Sequence, residues 1–156
     1  MKKVLLISLL ALAVPFAAAT AQNIALGERV PEMKVSAWLR GQKPAATPPL
    51  TYVEFFLSSN PACITSLKQL RALTDKFGTK LHVVVVTQEK EDKIAPLLTP
   101  FLSPHISVAM DAGNRIFTAF GVQYVPFGVL VDAKNRALWM GNSLQLTPAI
   151  IEKSSK

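Results

Sequence analysis

The chain contains one cysteine, Cys63. A single thiol excludes an internal disulfide framework and any zinc site built on several cysteines. Histidine is almost as scarce, with only His82 and His105. Charge is sparse too: Asp, Glu, Lys and Arg make up 17% of the 156 residues. The basic residues are scattered, with no dense run and no interleaved aromatics, so nothing suggests a nucleic-acid-binding surface. The seven glycines follow no period and no segment repeats, which excludes collagen-like and solenoid architectures.

What the chain has in quantity is apolar residues, 50% of the total. That content is too high for a disordered protein, and the length suits one domain able to bury a core without staples. The 17 Lys and Arg against 10 Asp and Glu give a formal charge of +7. Two of the basic residues, Lys2 and Lys3, stand directly before the apolar run Val4 to Ala19. The run is too short and too weakly flanked for a stable membrane span, and Ala19-Thr20-Ala21 fits a small-residue cleavage pattern. The reading is a secretory leader over 1–21, a mature N-terminus at Gln22, and a bacterial periplasmic destination without membrane association after cleavage. A retained anchor helix is the alternative. No cysteine at the cleavage point would take a lipid.

Residues 22–50 read as an irregular N-terminal extension, with short strands around Met33–Val35 and Trp38–Leu39 and a proline-rich connector from Gln42 to Leu50. A regular domain follows over 51–156. Thr51 to Leu57 is β-branched and aromatic, which predicts a buried strand. Asn60-Pro61 is helix-start chemistry, Asn as N-cap and Pro at the first helical position. Ile64, Leu67, Leu70, Leu73 and Phe77 then form an amphipathic stripe, closed by Gly78. Further strands are predicted at Leu81–Thr87, Ile106–Met110, Phe127–Val131 and Ala137–Met140, and helices at Glu89–Leu98, Asn114–Phe120 and Ala149–Lys153. The order predicts an α/β fold with a central mixed sheet flanked by helices.

The predicted first helix carries Cys63 at its third position. The free N–H groups and partial positive charge of a helix start stabilise a thiolate, so Cys63 is a candidate low-pKa nucleophile. The ordinary reading is a half-buried cysteine acting as a small hydrophobe. Glu54 interrupts the apolar strand just before. It is either a paired surface carboxylate or a buried acid with a raised pKa that exchanges protons with the thiol. Pro126 follows Val125 immediately before a predicted strand and marks its start; a plain trans bond is the ordinary case, and a cis bond would fit a substrate-docking loop. Cys63, a histidine and Met110 or Met140 would suit copper(I), but no close ligand spacing supports a metal. His82 reads as a satisfied strand histidine, Trp38 and Trp139 as core or groove aromatics, and no motif marks a cofactor.

Taken together, these residues resemble the thioredoxin-fold family, and within it the exported TlpA/ResA-like thiol–disulfide branch. Gly27-Glu28-Arg29-Val30-Pro31 is similar to that branch's G-x-x-A-P opening, and Trp38-Leu39-Arg40-Gly41 to its W-x-K-G. Tyr52 to Phe56 resembles the V-V-E-F-W strand, which puts Glu54 where the branch keeps a buried acid. Gly121 to Pro126 resembles the G-V-x-x-x-P segment that ends in a cis-proline. The resemblance implies a thioredoxin-like domain, with Cys63 and Glu54 in catalytic roles and Asn60, Pro61, Val125 and Pro126 against substrate.

One departure falls on the active site. Where the family has W-C-x-x-C, this chain has Ser59-Asn60-Pro61-Ala62-Cys63. Asn60 stands at the attacking cysteine's position, and Cys63 matches the resolving one. Dithiol exchange needs both thiols, so the standard reductase cycle is closed to this chain. The first functional reading is monothiol redox chemistry, with Cys63 forming mixed disulfides with protein thiols or glutathione. The alternative is a non-catalytic binding or chaperone-like module. A peroxidase ranks last: Asn60 replaces the threonine of the peroxiredoxin T-x-x-C, and Val125 supplies no arginine.

Overall fold

The computed structural model describes residues 24–156. Lys2, Lys3, Ala19-Thr20-Ala21 and the expected new terminus Gln22 lie outside them. Among the described residues the first strand is β1 (Ala37–Trp38), followed by a 3-10 turn at Leu39–Gly41 that buries Leu39. The strand expected at Met33–Val35 does not form. Met33 and Val35 are half-buried against the core without a ladder partner.

The regular part follows the hydrophobic periods. β2 (Leu50–Phe56) leads into α1 (Pro61–Phe77), then β3 (Leu81–Thr87), α2 (Glu91–Leu98) and β4 (Ile106–Met110). After these come α3 (Arg115–Phe120), the hairpin β5 (Phe127–Asp132) and β6 (Ala137–Asn142), and α4 (Pro148–Ser154). The six strands lie in the order β1-β4-β3-β2-β5-β6. β2, β3 and β4 run parallel, while β1, β5 and β6 are antiparallel to their neighbours. Residues 24–50 pack onto the sheet: β1 pairs with β4 at one edge, and the Gly27 and Val30 amides bond the Ala137 and Asn135 carbonyls beside β6 at the other.

Strand alternation sorts the core into two layers. Leu50, Tyr52 and Phe56 face one side with Leu67 and Leu70 of α1, Ile94 of α2 and Ile151 of α4. Val53 and Phe55 face the other, with Ile116, Phe117 and Phe120 of α3. Glu54 shares the even-numbered face, toward α1. Gly128 on β5 pairs with Glu54 in register, and a Cβ there would drive into the Tyr52 ring and hydroxyl. Glycine therefore lets Tyr52 lie flat across the sheet beside Glu54.

Candidate functional site

Three connections converge at the C-terminal end of β2: the β2–α1 turn, the β3–α2 turn and the loop from α3 into β5. Asn60 is the N-cap of α1, as its residue type predicts, with Pro61 following at the first helical position. All its polar groups are engaged. The Asn60 amide N–H donates to Leu57 O at 3.2 Å and its carbonyl accepts from Cys63 N–H at 3.0 Å. Its side-chain Oδ1 accepts from Ala62 N–H at 3.0 Å, and Nδ2 donates to Val125 O at 2.8 Å. The Val125–Pro126 peptide bond is cis. Pro61 is exposed, Val125 half-buried and Pro126 buried.

Cys63 sits at the third position of α1 and is 0% exposed. Burial pushes its thiol above the ordinary value, the Leu57 backbone pulls it down, and the charges of Glu54 and Glu89 push it up again. The low pKa expected from helix position is therefore reversed. Burial is the first cause, and the Ala62 and Cys63 N–H groups at the helix start are bonded to Asn60.

Glu54 is also 0% exposed. Ser66 Oγ lies 3.0 Å from Glu54 Oε1 and 2.9 Å from the Cys63 carbonyl, so one hydroxyl joins the acid to the first turn of α1. Glu54 Oε2 has no hydrogen-bond partner. Burial pushes the carboxyl up to about 8, and the hydroxyls of Ser143 and Ser66 offset that only in part. A protonated Glu54 fits this geometry: its O–H can serve Ser66 while Ser66 serves the Cys63 carbonyl. Tyr52 completes the layer by donating to Ser143 Oγ at 2.8 Å.

The sequence reading missed Glu89. The helix expected from Glu89 begins at Glu91, because Glu89 lies in the preceding turn with its carboxylate aimed across the site. Its Oε2 accepts from Ser58 N–H at 2.8 Å and its Oε1 from Ser58 Oγ at 2.5 Å; Lys93 Nζ lies 2.8 Å from Oε1. Burial alone would raise this carboxyl, but the bonds from Lys93 and Ser58 hold it below its ordinary value. No pattern in the sequence marks a lone glutamate in a polar turn as the partner of a serine 31 residues earlier.

Among the described residues, no three His, Cys, Asp or Glu side chains converge as a metal site. His82 lies in the central strand β3, with Nε2 3.1 Å from Ser107 Oγ. Burial first, then the charge of His105, brings its pKa down to about 4. The structure groups Cys63, Glu54, Asn60 and Val125; His82, the second residue of β3, pairs with Thr51 at the opposite end of the sheet.

No family model matches the chain, and no curated protein matches it by sequence. Solved structures do. The thioredoxin domain of a thiol-disulfide oxidoreductase from Bacteroides vulgatus superposes with a TM-score of 0.66 at 13% identity, over 84% of this chain and 95% of that one. The fold is thioredoxin-like. An exposed lipoprotein thioredoxin from Streptococcus pneumoniae gives 0.63 at 15% identity, over 76% of this chain and 94% of the other. A peroxidoxin from Mycobacterium tuberculosis gives 0.65 at 15% identity, over 85% and 94%. The thioredoxin-like fold is thus shared with solved structures of different names, and function has to be read from this chain's own site.

Proposed function

We propose that this chain is an exported thioredoxin-fold binding module that does not turn over disulfides. The observation that carries the reading is Cys63 itself, out of solvent with its thiol pushed up and the helix-start amides committed to Asn60. Nucleophilic thiols need the opposite setting, accessible and electropositive. Asn60, Pro61 and Val125, with the buried Pro126 behind them, mark the face on which we place the partner, a polypeptide segment. The charged start at Lys2-Lys3, the apolar run and Ala19-Thr20-Ala21 support export to the periplasm.

Monothiol exchange is the second reading, and Glu54 favours it. A buried carboxyl at about 8 is suited to taking and returning a proton near neutrality. In such a step the Cys63 thiolate attacks a partner disulfide, forms one new S–S bond and releases one partner thiolate. A second thiol, from a partner or glutathione, has to resolve the adduct.

An insulin-type reduction assay separates the readings. The unmodified protein should show no turnover above the background of the added thiol reductant. Asn60→Cys supplies the missing nucleophile and should create activity, at a stability loss of about 1 kcal/mol for the cap. Robust turnover by the unmodified protein would contradict the binding-module reading.

A further inference from the structure

A second concavity lies between α1 and the connection from β6 into α4, and none of Cys63, Glu54, Asn60 or Val125 lines it. Its volume is about 420 Å³, within the range of roughly 300–1,000 Å³ that small-molecule sites occupy. On the α1 side, Ala72 and Lys76 stand one turn apart on the exposed face, and the small Ala72 side chain leaves the trough its depth. The floor is apolar: Leu73 and Leu146 line it, and both belong to the core layer beneath. Leu144 forms the far rim, 36% exposed, one of three large apolar side chains left exposed among the described residues.

Lys76 is the one charged side chain that lines the trough. Its ion partner, Glu152 Oε1 at 3.4 Å, belongs to α4 and stands outside the lining. Both side chains of that pair are more than half exposed, and such a pair contributes little. An anion lying in the trough can therefore take the place of Glu152 at small cost. The formal charge of +7 favours an anion over a cation as well. We propose that this trough binds a single aliphatic chain ending in a carboxylate, with the chain along Ala72, Leu73, Leu144 and Leu146 and the carboxylate on Lys76 Nζ.

Titration of the purified protein with decanoate, kept below micelle formation and followed by backbone amide shifts in NMR, tests it. The shifts should saturate and cluster at Ala72, Leu73, Leu144 and Leu146. Octanoate, two methylenes shorter, should bind roughly tenfold more weakly. Decanol, of equal carbon count and without charge, should bind roughly two- to fivefold more weakly than decanoate. Lys76→Gln should weaken decanoate by a similar factor and leave decanol unchanged, while Glu152→Gln should tighten decanoate by removing its competitor. Ala72→Leu, a good helix former at an exposed position, fills the trough and should abolish binding of both. No saturable shift, or shifts elsewhere on the protein, would overturn the proposal. Equal binding of decanol and decanoate, unmoved by either charge variant, would overturn it by showing an apolar patch that does not select a carboxylate. Shifts at these residues that follow protein concentration without ligand would overturn it in favour of a second copy covering the trough.

Discussion

Cys63 shows how far a residue's chemistry departs from what its sequence position suggests, while Glu54 is the buried, raised acid that its strand position offered. A cysteine in the first helical turn is a thiolate candidate by helix electrostatics, yet Asn60 has taken the amides and the core has taken the sulfur. Glu54 was legible as an anomaly, a carboxylate within an apolar strand, but Ser66, Ser143 and Tyr52 as its company were not. Those contacts depend on which face of β2 looks toward α1. The raised carboxyl has a consequence for stability. Glu54 binds its proton more tightly folded, near 8, than at its ordinary value of 4.5. Between those values the folded state holds more protons than the unfolded one, so stability falls as pH rises. The loss is complete above pH 8 and is on the order of a few kcal/mol, at about 1.36 kcal/mol for each pH unit separating the two values. Urea unfolding at pH 5 and pH 8.5 should show this decline, and Glu54→Gln should flatten it. An unchanged slope in the variant would mean that another group sets the pH dependence.

Among the elements, the legible ones were those with a strong period and ordinary caps. α1 reads from Asn60-Pro61 to Gly78, and the structure gives the same boundaries with Gly78 at φ 55°. β2, β3 and the β5–β6 hairpin follow their apolar runs to within a residue or two. The failures are local competitions. Glu89 leaves its helix to serve Ser58, and Met33–Val35 buries side chains without finding a strand to pair with. α3 illustrates a cap that propensity rules miss. Asn114 precedes it in a left-handed conformation and its side chain does not cap the helix. The cap comes instead from Asp111, whose carboxylate accepts from the Arg115, Ile116 and Phe117 amides at 2.9 to 3.1 Å. Asp111 is 4% exposed, so losing it strands buried donors. Asp111→Ala should lower stability by about 1–3 kcal/mol in urea unfolding. A change below about 0.5 kcal/mol would show that water or a neighbour replaces the carboxylate.

For the molecule as a whole, strand and helix order was enough to predict a mixed α/β sheet, and the resemblance placed the Cys63, Glu54 and Val125-Pro126 positions on it. What the chain does with those positions was not legible, because Asn60 serves as the α1 cap whatever chemistry follows, and the burial of Cys63 is set by packing from distant segments. Export is the other whole-molecule proposal. Expression in a secretion-competent bacterium should yield a mature N-terminus at Gln22 by mass spectrometry, and a mature pool retaining Met1 would contradict it. The central claim concerns whether the one thiol is built to react. The rate of Cys63 alkylation by iodoacetamide, measured in the folded protein across pH 5 to 10, tests it most directly. A shielded thiol predicts slow alkylation throughout, with a midpoint above the ordinary thiol pKa of about 8.5. Fast alkylation with a midpoint well below that value would contradict the account and make this chain a monothiol catalyst.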